Sequence, residues 1–389
     1  MPPATHCMST AKNLEIEALR AVAVLMTAFS HLPHLLPFQK DTLNTAFFSF
    51  MPWTGVDLFF CISGYVVSRS FVDLLDRNKA NGTFWLAAQS FWIRRIYRLI
   101  PSAWLWVVIG IICAVSFNST GVFASLHDNL RSATAVITFT GNLANPYGKL
   151  LEPNSVYWSL ALEEQFYLLF PLFLLVTSGA WRWRILLLLI LIQLPIDRNP
   201  FGGPLAQLFT SFRLDALMWG ILIFMFSRSA QYRLFEPVFL QGQGFKILLL
   251  NLFLVYLLGA IAAHLIGMPT AVGLIAIIAA VLVWLASYEA GYICRIPGLM
   301  PVLVWLGARS YAIYLIHMLA YRFCLEAWTR HAIASGHPLD STDTLRMLVS
   351  AIVLTLLLAE LNFRLIEEPL RRRGAAIAAR RLATAQSQS

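Results

Sequence analysis

Three groups of residues in this chain combine types and spacings that could do chemistry. Arg20 and His31 fall in one apolar run, LEIEALRAVAVLMTAFSHLPHLL, over residues 14–36. Eleven positions along a helix give about 16 Å of rise and close to three turns, so the two side chains share one face. A charged and an ionisable group on one face of a membrane-crossing helix mark a functional site by default. The competing reading is an arginine at the membrane edge and a histidine bonded to a neighbouring carbonyl, and the pair alone does not separate the two.

The second group is Glu163 and Glu164 in YWSLALEEQFYLLFPL, over residues 157–172, with Ser159 one turn before Glu163 and Tyr167 one turn after it. Adjacent carboxylates inside a spanning helix are costly unless paired or facing water, which favours a functional reading. They point about 100° apart and so require different partners. The third group is Arg94, Arg95 and Arg98 in FWIRRIYRLIPSAW, over residues 91–104. Arg94 and Arg98 share a face, Arg95 lies beside Arg98, and guanidinium groups bind phosphate with two oxygens at once. On spacing alone, an anchor beside lipid headgroups is the favoured reading of that cluster.

Weaker candidates surround these. Asp57 opens an apolar run and either faces a substrate or caps its helix. Ser63 and Gly64 read as a small pair that lets helices approach closely. Arg213 and Asp215 read as members of structural ion pairs. His317, in the run that also holds Ser310, Tyr311 and Tyr314, is either a second polar wall or a satisfied core histidine. Five cysteines are scattered without a CxxC or a His/Cys cluster, so neither a zinc site nor a disulfide framework is supported and no metal is expected.

The elements that must position these groups are set by composition. Of 389 residues, 58% are hydrophobic and only 13% charged, with a mean hydropathy of +0.68, whereas soluble domains carry about a quarter charged residues. The chain reads as an all-α, polytopic integral membrane protein. Apolar runs place about ten spans near 14–36, 54–75, 97–117, 157–177, 184–198, 204–227, 245–266, 269–290, 302–325 and 345–366. Residues 130–144 read as an interfacial or re-entrant segment. Cations concentrate in alternate loops: Arg77, Lys79, Arg94 and Arg95; Arg182 and Arg184; Arg228, Arg233 and Lys246; Arg295; and the tail from Arg371. The other loops hold only Lys40, Arg131, Lys149 and Arg330, so both termini are expected to be cytoplasmic. The net charge of +9 is accounted for by this bias and calls for no nucleic acid. The longest outward connection, about 118–156, carries Asn118, Asn142, Asn145, Pro146, Gly148 and Pro153 as turn formers. Residues 1–373 read as one membrane domain and 374–389 as a short, basic, disordered cytoplasmic tail.

This orientation puts Arg20 and the Arg94, Arg95 and Arg98 cluster toward the inner side. It puts His31, Asp57, Glu163 and Glu164 toward the outer side. A base with carboxylates facing outward and a phosphate-friendly cluster facing inward implies two substrates reached from opposite sides.

Six blocks in this order resemble the membrane acyltransferase family 3: LRAVAVLMTAFSH, WTGVDLFFCISGYVVS, FWIRRIYRLIPSAW, VYWSLALEEQFYLLFPL, GARSYAIYLIHM and FRLIEEPLRRR. The resemblance covers about Leu14 to Arg373. It implies transfer of an acyl group, commonly acetyl, from cytoplasmic acyl-CoA to hydroxyls of a carbohydrate or glycolipid acceptor. Targets in the family include O-antigen, exopolysaccharide, peptidoglycan, nodulation factors and macrolides. It also implies a multi-pass cell (inner or plasma) membrane location. The family's histidine and arginine match His31 and Arg20, and its basic motif for the CoA phosphates matches Arg94, Arg95 and Arg98. Some members carry an additional SGNH-type domain, which is not expected in this chain. The departures, Cys61, Glu17 and Leu319, are expected to leave the chemistry untouched.

The expectation is therefore an O-acyltransferase with His31 as general base, since imidazole alone titrates near neutrality without help. Glu163 or Glu164 would orient His31 or bind acceptor hydroxyls, and Arg20 would bind donor phosphate or polarise the thioester. Asp57, Ser159, Tyr167 and His317 would line the acceptor side. The span from Arg20 to His31 is comparable to a pantetheine arm, leaving either a threaded arm or a covalent carrier residue. The alternative, a transporter or flippase of a sugar or drug, fits hydropathy and intramembrane charge equally well.

Overall fold

The computed structural model describes residues 12–144, 151, 153–293, 296 and 298–386. Cys7, Cys294, Asn145, Pro146, Gly148, Lys149 and Arg295 lie outside the described residues. Every regular element among the described residues is helical: α1 (Leu14–Ser30), α2 (Lys40–Ser49), α3 (Gly55–Ala80), α4 (Phe84–Ser116), α5 (Leu126–Ile137), α6 (Gly141–Ala144), α7 (Tyr157–Val176), α8 (Gly179–Gln193), α9 (Pro204–Thr210), α10 (Asp215–Ser227), α11 (Gly244–His264), α12 (Ala271–Ser287), α13 (Leu299–Ala308), α14 (Ser310–Ser335), α15 (Thr344–Asn362) and α16 (Glu368–Gln386). Among the described residues six stretches are long and apolar enough to cross a membrane, and α13 with α14 makes a seventh if that bent pair is one span. Helices occupy all ten expected positions, but α1, α8 and α12 hold only 17, 15 and 17 residues.

Local sequence explains the ends that matter. Asn13 caps α1 by accepting from the Ile16 amide at 3.0 Å, while its own Nδ2 donates to the Ala286 carbonyl of α12 at 2.8 Å. The expected run to residue 36 stops early. α1 ends at Ser30 with His31 as its C-cap, and Pro33 lies in the short 3₁₀ turn that follows. The run at 302–325 is likewise not one straight rod, because α13 and α14 meet at 76° around Arg309. Arg309 is fixed there by an ion pair with Glu360 of α15 and by the rings of Trp305 and Phe363, 4.4 and 4.6 Å from its guanidinium carbon. The expected disordered tail also differs. α15 passes through a π-helical turn, Phe363–Glu367, into α16, which lies against α4 with Gly374 over the Tyr97 side chain.

The centre of the molecule is built around α3. Gly64 of α3 faces the Leu217 carbonyl of α10 and Gly220 of α10 faces the Cys61 carbonyl, each too close for any side chain. The two helices therefore pack backbone to backbone, as the Ser63-Gly64 pair predicts. Gly307 does the same for α13 against the Glu17 carbonyl of α1. Leu19, Leu58, Leu217, Ile275 and Ala276 fill the interior between these contacts. With α3 fixed on one side, its other face is free to line a cavity.

Candidate active site

That face presents Val56, Phe59, Ser63 and Val66, residues at the i, i+3, i+7 and i+10 positions of a helix. They open onto a cavity, part of it open to solvent, whose other walls come from α1, α4, α7 and α14. Of the sequence candidates, Arg20, Arg95, Arg98, Ser159, Glu163 and Tyr167 line it. Six positions separated by up to 147 residues are thus drawn to one space.

Arg95 lies at one end, its guanidinium carbon 4.9 Å from the centre of the Tyr167 ring. Arg20 and Arg98 join it on the cavity wall. Among the described residues Arg94, Arg95 and Arg98 form no ion pair, and the Nε of each is buried without a hydrogen-bond partner. Arg94 is not part of the lining and stands over Phe71 at 5.8 Å. Arg20 is less free: its Nη1 lies 3.3 Å from Glu17, which also holds Lys12 at 3.0 Å. Glu17 therefore touches the candidate chemistry, against expectation.

Midway along the cavity, Glu163 Oε1 accepts from Tyr167 Oη at 2.6 Å and from Ser63 Oγ, and those two hydroxyls are themselves 2.6 Å apart. Ser63 is a residue that the spacing argument passed over as packing. The signal for it was its position one turn from Phe59 and Val66, on a face about 100° round the helix from the packing glycine. At the far end, Tyr314 Oη donates to the Val156 carbonyl at 2.9 Å and lies 2.5 Å from Ser159 Oγ. The Tyr314 ring meets Phe59 edge-on at 6.0 Å and His317 at 5.9 Å.

The histidines stand just beyond that end, outside the cavity lining. Nδ1 of His31 lies 2.9 Å from the Thr27 carbonyl and 3.2 Å from Nε2 of His317, and Nδ1 of His317 lies 3.1 Å from the Ile313 carbonyl. A carbonyl only accepts, so each neutral ring carries its proton on Nδ1. His317 Nε2 is then an acceptor for His31, and the lone pair of His31 falls on Nε2. His317 is fully buried with both ring nitrogens partnered, as the core-histidine side of its two-way sequence reading has it, and one of those partners is the other histidine.

Two candidates are placed elsewhere. Glu164 lines a separate, smaller space with Tyr157, Phe139 and Tyr311, so the two adjacent carboxylates do serve different surroundings. Asp57 is fully buried and pairs with Arg213 at 3.6 Å, while Asp215 pairs with Arg198 at 2.7 Å. Arg213 is held between Trp53 and Trp158, 4.9 and 4.7 Å from its guanidinium carbon. This is a closed, charge-balanced cluster, and Asp57 does not face the cavity. Among the described residues no group of three or more His, Cys, Asp or Glu side chains is placed to hold a metal ion.

A cavity with an arginine end and a histidine pair past its other end is shared by more than one chemistry, and comparison with known proteins decides between them. Residues 13–360 match the family model described as an acyltransferase domain. The chain belongs to this acyltransferase family. It is 29% identical to the peptidoglycan O-acetyltransferase OatA of Listeria monocytogenes, over 92% of this chain and 56% of the relative. It is 28% identical to YrhL of Bacillus subtilis, over 92% and 55%, and 26% identical to SACOL0978 of Staphylococcus aureus, over 92% and 57%. The chain thus spans about half the length of the curated relatives it matches. No solved structure matches it. The transporter alternative is not favoured by this family membership.

Proposed function

We propose that the chain is a membrane O-acyltransferase that moves an acyl group, acetyl in the first instance, from acyl-CoA to a saccharide hydroxyl. Peptidoglycan is the acceptor favoured by the name of the Listeria relative. The observation that carries this reading is the cavity itself, which joins three arginines at one end to a tyrosine in contact with a histidine pair at the other. In this reading both termini and the arginine end face the cytoplasm, as the alternation of loop cations implies.

Arg95, Arg98 and Arg20 hold the phosphates of the donor, an arrangement suited to always-charged, bidentate groups. The pantetheine arm runs along the cavity past Ser63, Glu163 and Tyr167, whose polar atoms meet its amides. The rise from Arg20 to His31, about 16 Å, brings the thioester toward the histidines and makes a covalent carrier unnecessary. His31 Nε2 takes the proton of the acceptor hydroxyl as its oxygen bonds to the thioester carbonyl carbon. The C–S bond then breaks and the proton returns to the departing thiolate. His317 accepts from His31 Nδ1–H and steadies the imidazolium that forms, so it is a positioning residue.

The test is thiol release from acetyl-CoA by the purified full chain with peptidoglycan fragments as acceptor. Arg98→Ala should raise the KM for acetyl-CoA about 10- to 100-fold, the worth of one charge-assisted contact, with a smaller change in kcat. Failure of the wild-type chain to release thiol with any saccharide would overturn the reading, and an unchanged KM in Arg98→Ala would return that arginine to a membrane anchor.

A further inference from the structure

On the side toward the histidines two rings stand on the cavity wall. Phe59 and Tyr314 meet edge to face, 86° apart with centroids at 6.0 Å, and both line the cavity. Tyr314 is held in place at its hydroxyl by the Val156 carbonyl and Ser159, so its ring cannot swing aside while both contacts persist. Its other side faces His317, which holds His31. Phe59 has no comparable tether but is partly buried, with its backbone on the α3 helix that Gly64 locks to α10.

From Val56 to Val67, both on the wall, α3 rises about 16 Å, comparable to an extended pantetheine arm. A donor whose phosphates rest on the arginines then brings its thioester to the two rings. What extends beyond the carbonyl carbon must fit between them and the histidine pair. This inference rests on the acyl-CoA reading above and goes beyond it by naming the residues that set the length of the acyl group.

We infer that Phe59 and Tyr314 form a gauge that restricts the transferred group to short acyl chains of two or three carbons. A two-carbon acyl group adds one methyl beyond the carbonyl. A butanoyl group adds two further methylenes that must displace an aromatic ring held on packed backbone.

The experiment compares acetyl-, butanoyl- and octanoyl-CoA as donors to peptidoglycan fragments, using the full chain and reading thiol release as kcat/KM. Wild type should favour acetyl over butanoyl by at least about tenfold, the scale on which apolar pockets resolve added methylenes. Phe59→Ala should raise the butanoyl-to-acetyl ratio about tenfold, and Phe59→Leu should shift it less in the same direction. Tyr314→Phe keeps the ring but removes its tether, and should also raise the ratio. Phe59→Leu supplies the measurement if Phe59→Ala is too unstable to purify.

Equal use of octanoyl- and acetyl-CoA by wild type would overturn the gauge. So would unchanged ratios in folded Phe59 variants alongside normal wild-type acetyl transfer, and both results leave the acyltransferase reading standing. Absence of thiol release by wild type with all three donors removes that reading and the gauge with it.

Discussion

At the scale of single residues, the arrangement makes distinct demands on groups that look alike in sequence. His31 and His317 are both buried or half-buried histidines, yet only one has its base nitrogen left over. His31→Ala should lower kcat about 10²- to 10⁴-fold in the thiol-release assay, the usual contribution of a general base. His317→Leu should lower kcat about tenfold with little change in the KM for acetyl-CoA, since it removes one hydrogen bond to a ring that becomes charged. His317→Gln, whose amide oxygen can accept from His31 Nδ1–H, should recover part of that loss, and a purely structural histidine would not show this rescue. Asp57 makes the opposite case. Asp57→Ala leaves Arg213 buried without its partner, which costs about 3–5 kcal/mol, so the expected result is a large fall in thermal stability. Replacing Asp57 and Arg213 together by apolar residues should recover most of it. Sequence could rank Asp57 as a polar group at a helix start, but the partner that decides its role lies 156 positions away. The same holds for the histidine pair, whose members are 286 positions apart. By contrast, the Glu163–Tyr167 bond was legible, because one helical turn joins them.

At the scale of helices, the glycines decide more than the apolar runs do. Gly64→Ala places a Cβ against the Leu217 carbonyl, and Gly220→Ala places one against the Cys61 carbonyl. Either should separate α3 from α10 and destabilise the protein by about 1–3 kcal/mol, measured as a lower unfolding temperature in detergent. The positions of the helices were legible from hydropathy, and the close approach of α3 was legible from Ser63-Gly64. The bend at Arg309 and the early end of α1 were not, for a physical reason. Hydropathy sums side-chain preference over a window, and neither a 76° turn nor a helix stop changes that sum much. Pro33 was the local sign for the second. Nothing local announces that Arg309 will find Glu360.

For the whole molecule, the loop cations give a direction to the cavity. In the proposed orientation the α14–α15 connection faces outward and α16 faces the cytoplasm. On a background without native cysteines, His337→Cys should react with a membrane-impermeant maleimide in intact cells, and Arg380→Cys only after permeabilisation. The reverse pattern would turn the arginine end outward and remove cytoplasmic acyl-CoA as the donor. The path of α16 shows where composition misleads. GAAIAARRLATAQ is small and basic, as solvated tails are, but it is also rich in alanine and follows directly from α15, so the helix propagates along α4.

The length of α4 has a consequence for how far anything must travel. Its 33 residues measure about 50 Å, well beyond the ~30 Å hydrocarbon core, and from Arg98 to Ser116 the rise is about 27 Å. If Ser116 stands at the outer boundary, the arginines stand near the inner one, among headgroups rather than in oil. The most highly charged part of a nucleotide-bearing donor would then never leave the aqueous border. Only a thin, weakly polar arm would enter the bilayer, and its own length would carry the reactive carbon a little over half of the way across. Crossing the membrane becomes a matter of reach, which a static scaffold can supply without the large rocking motions that a carrier needs.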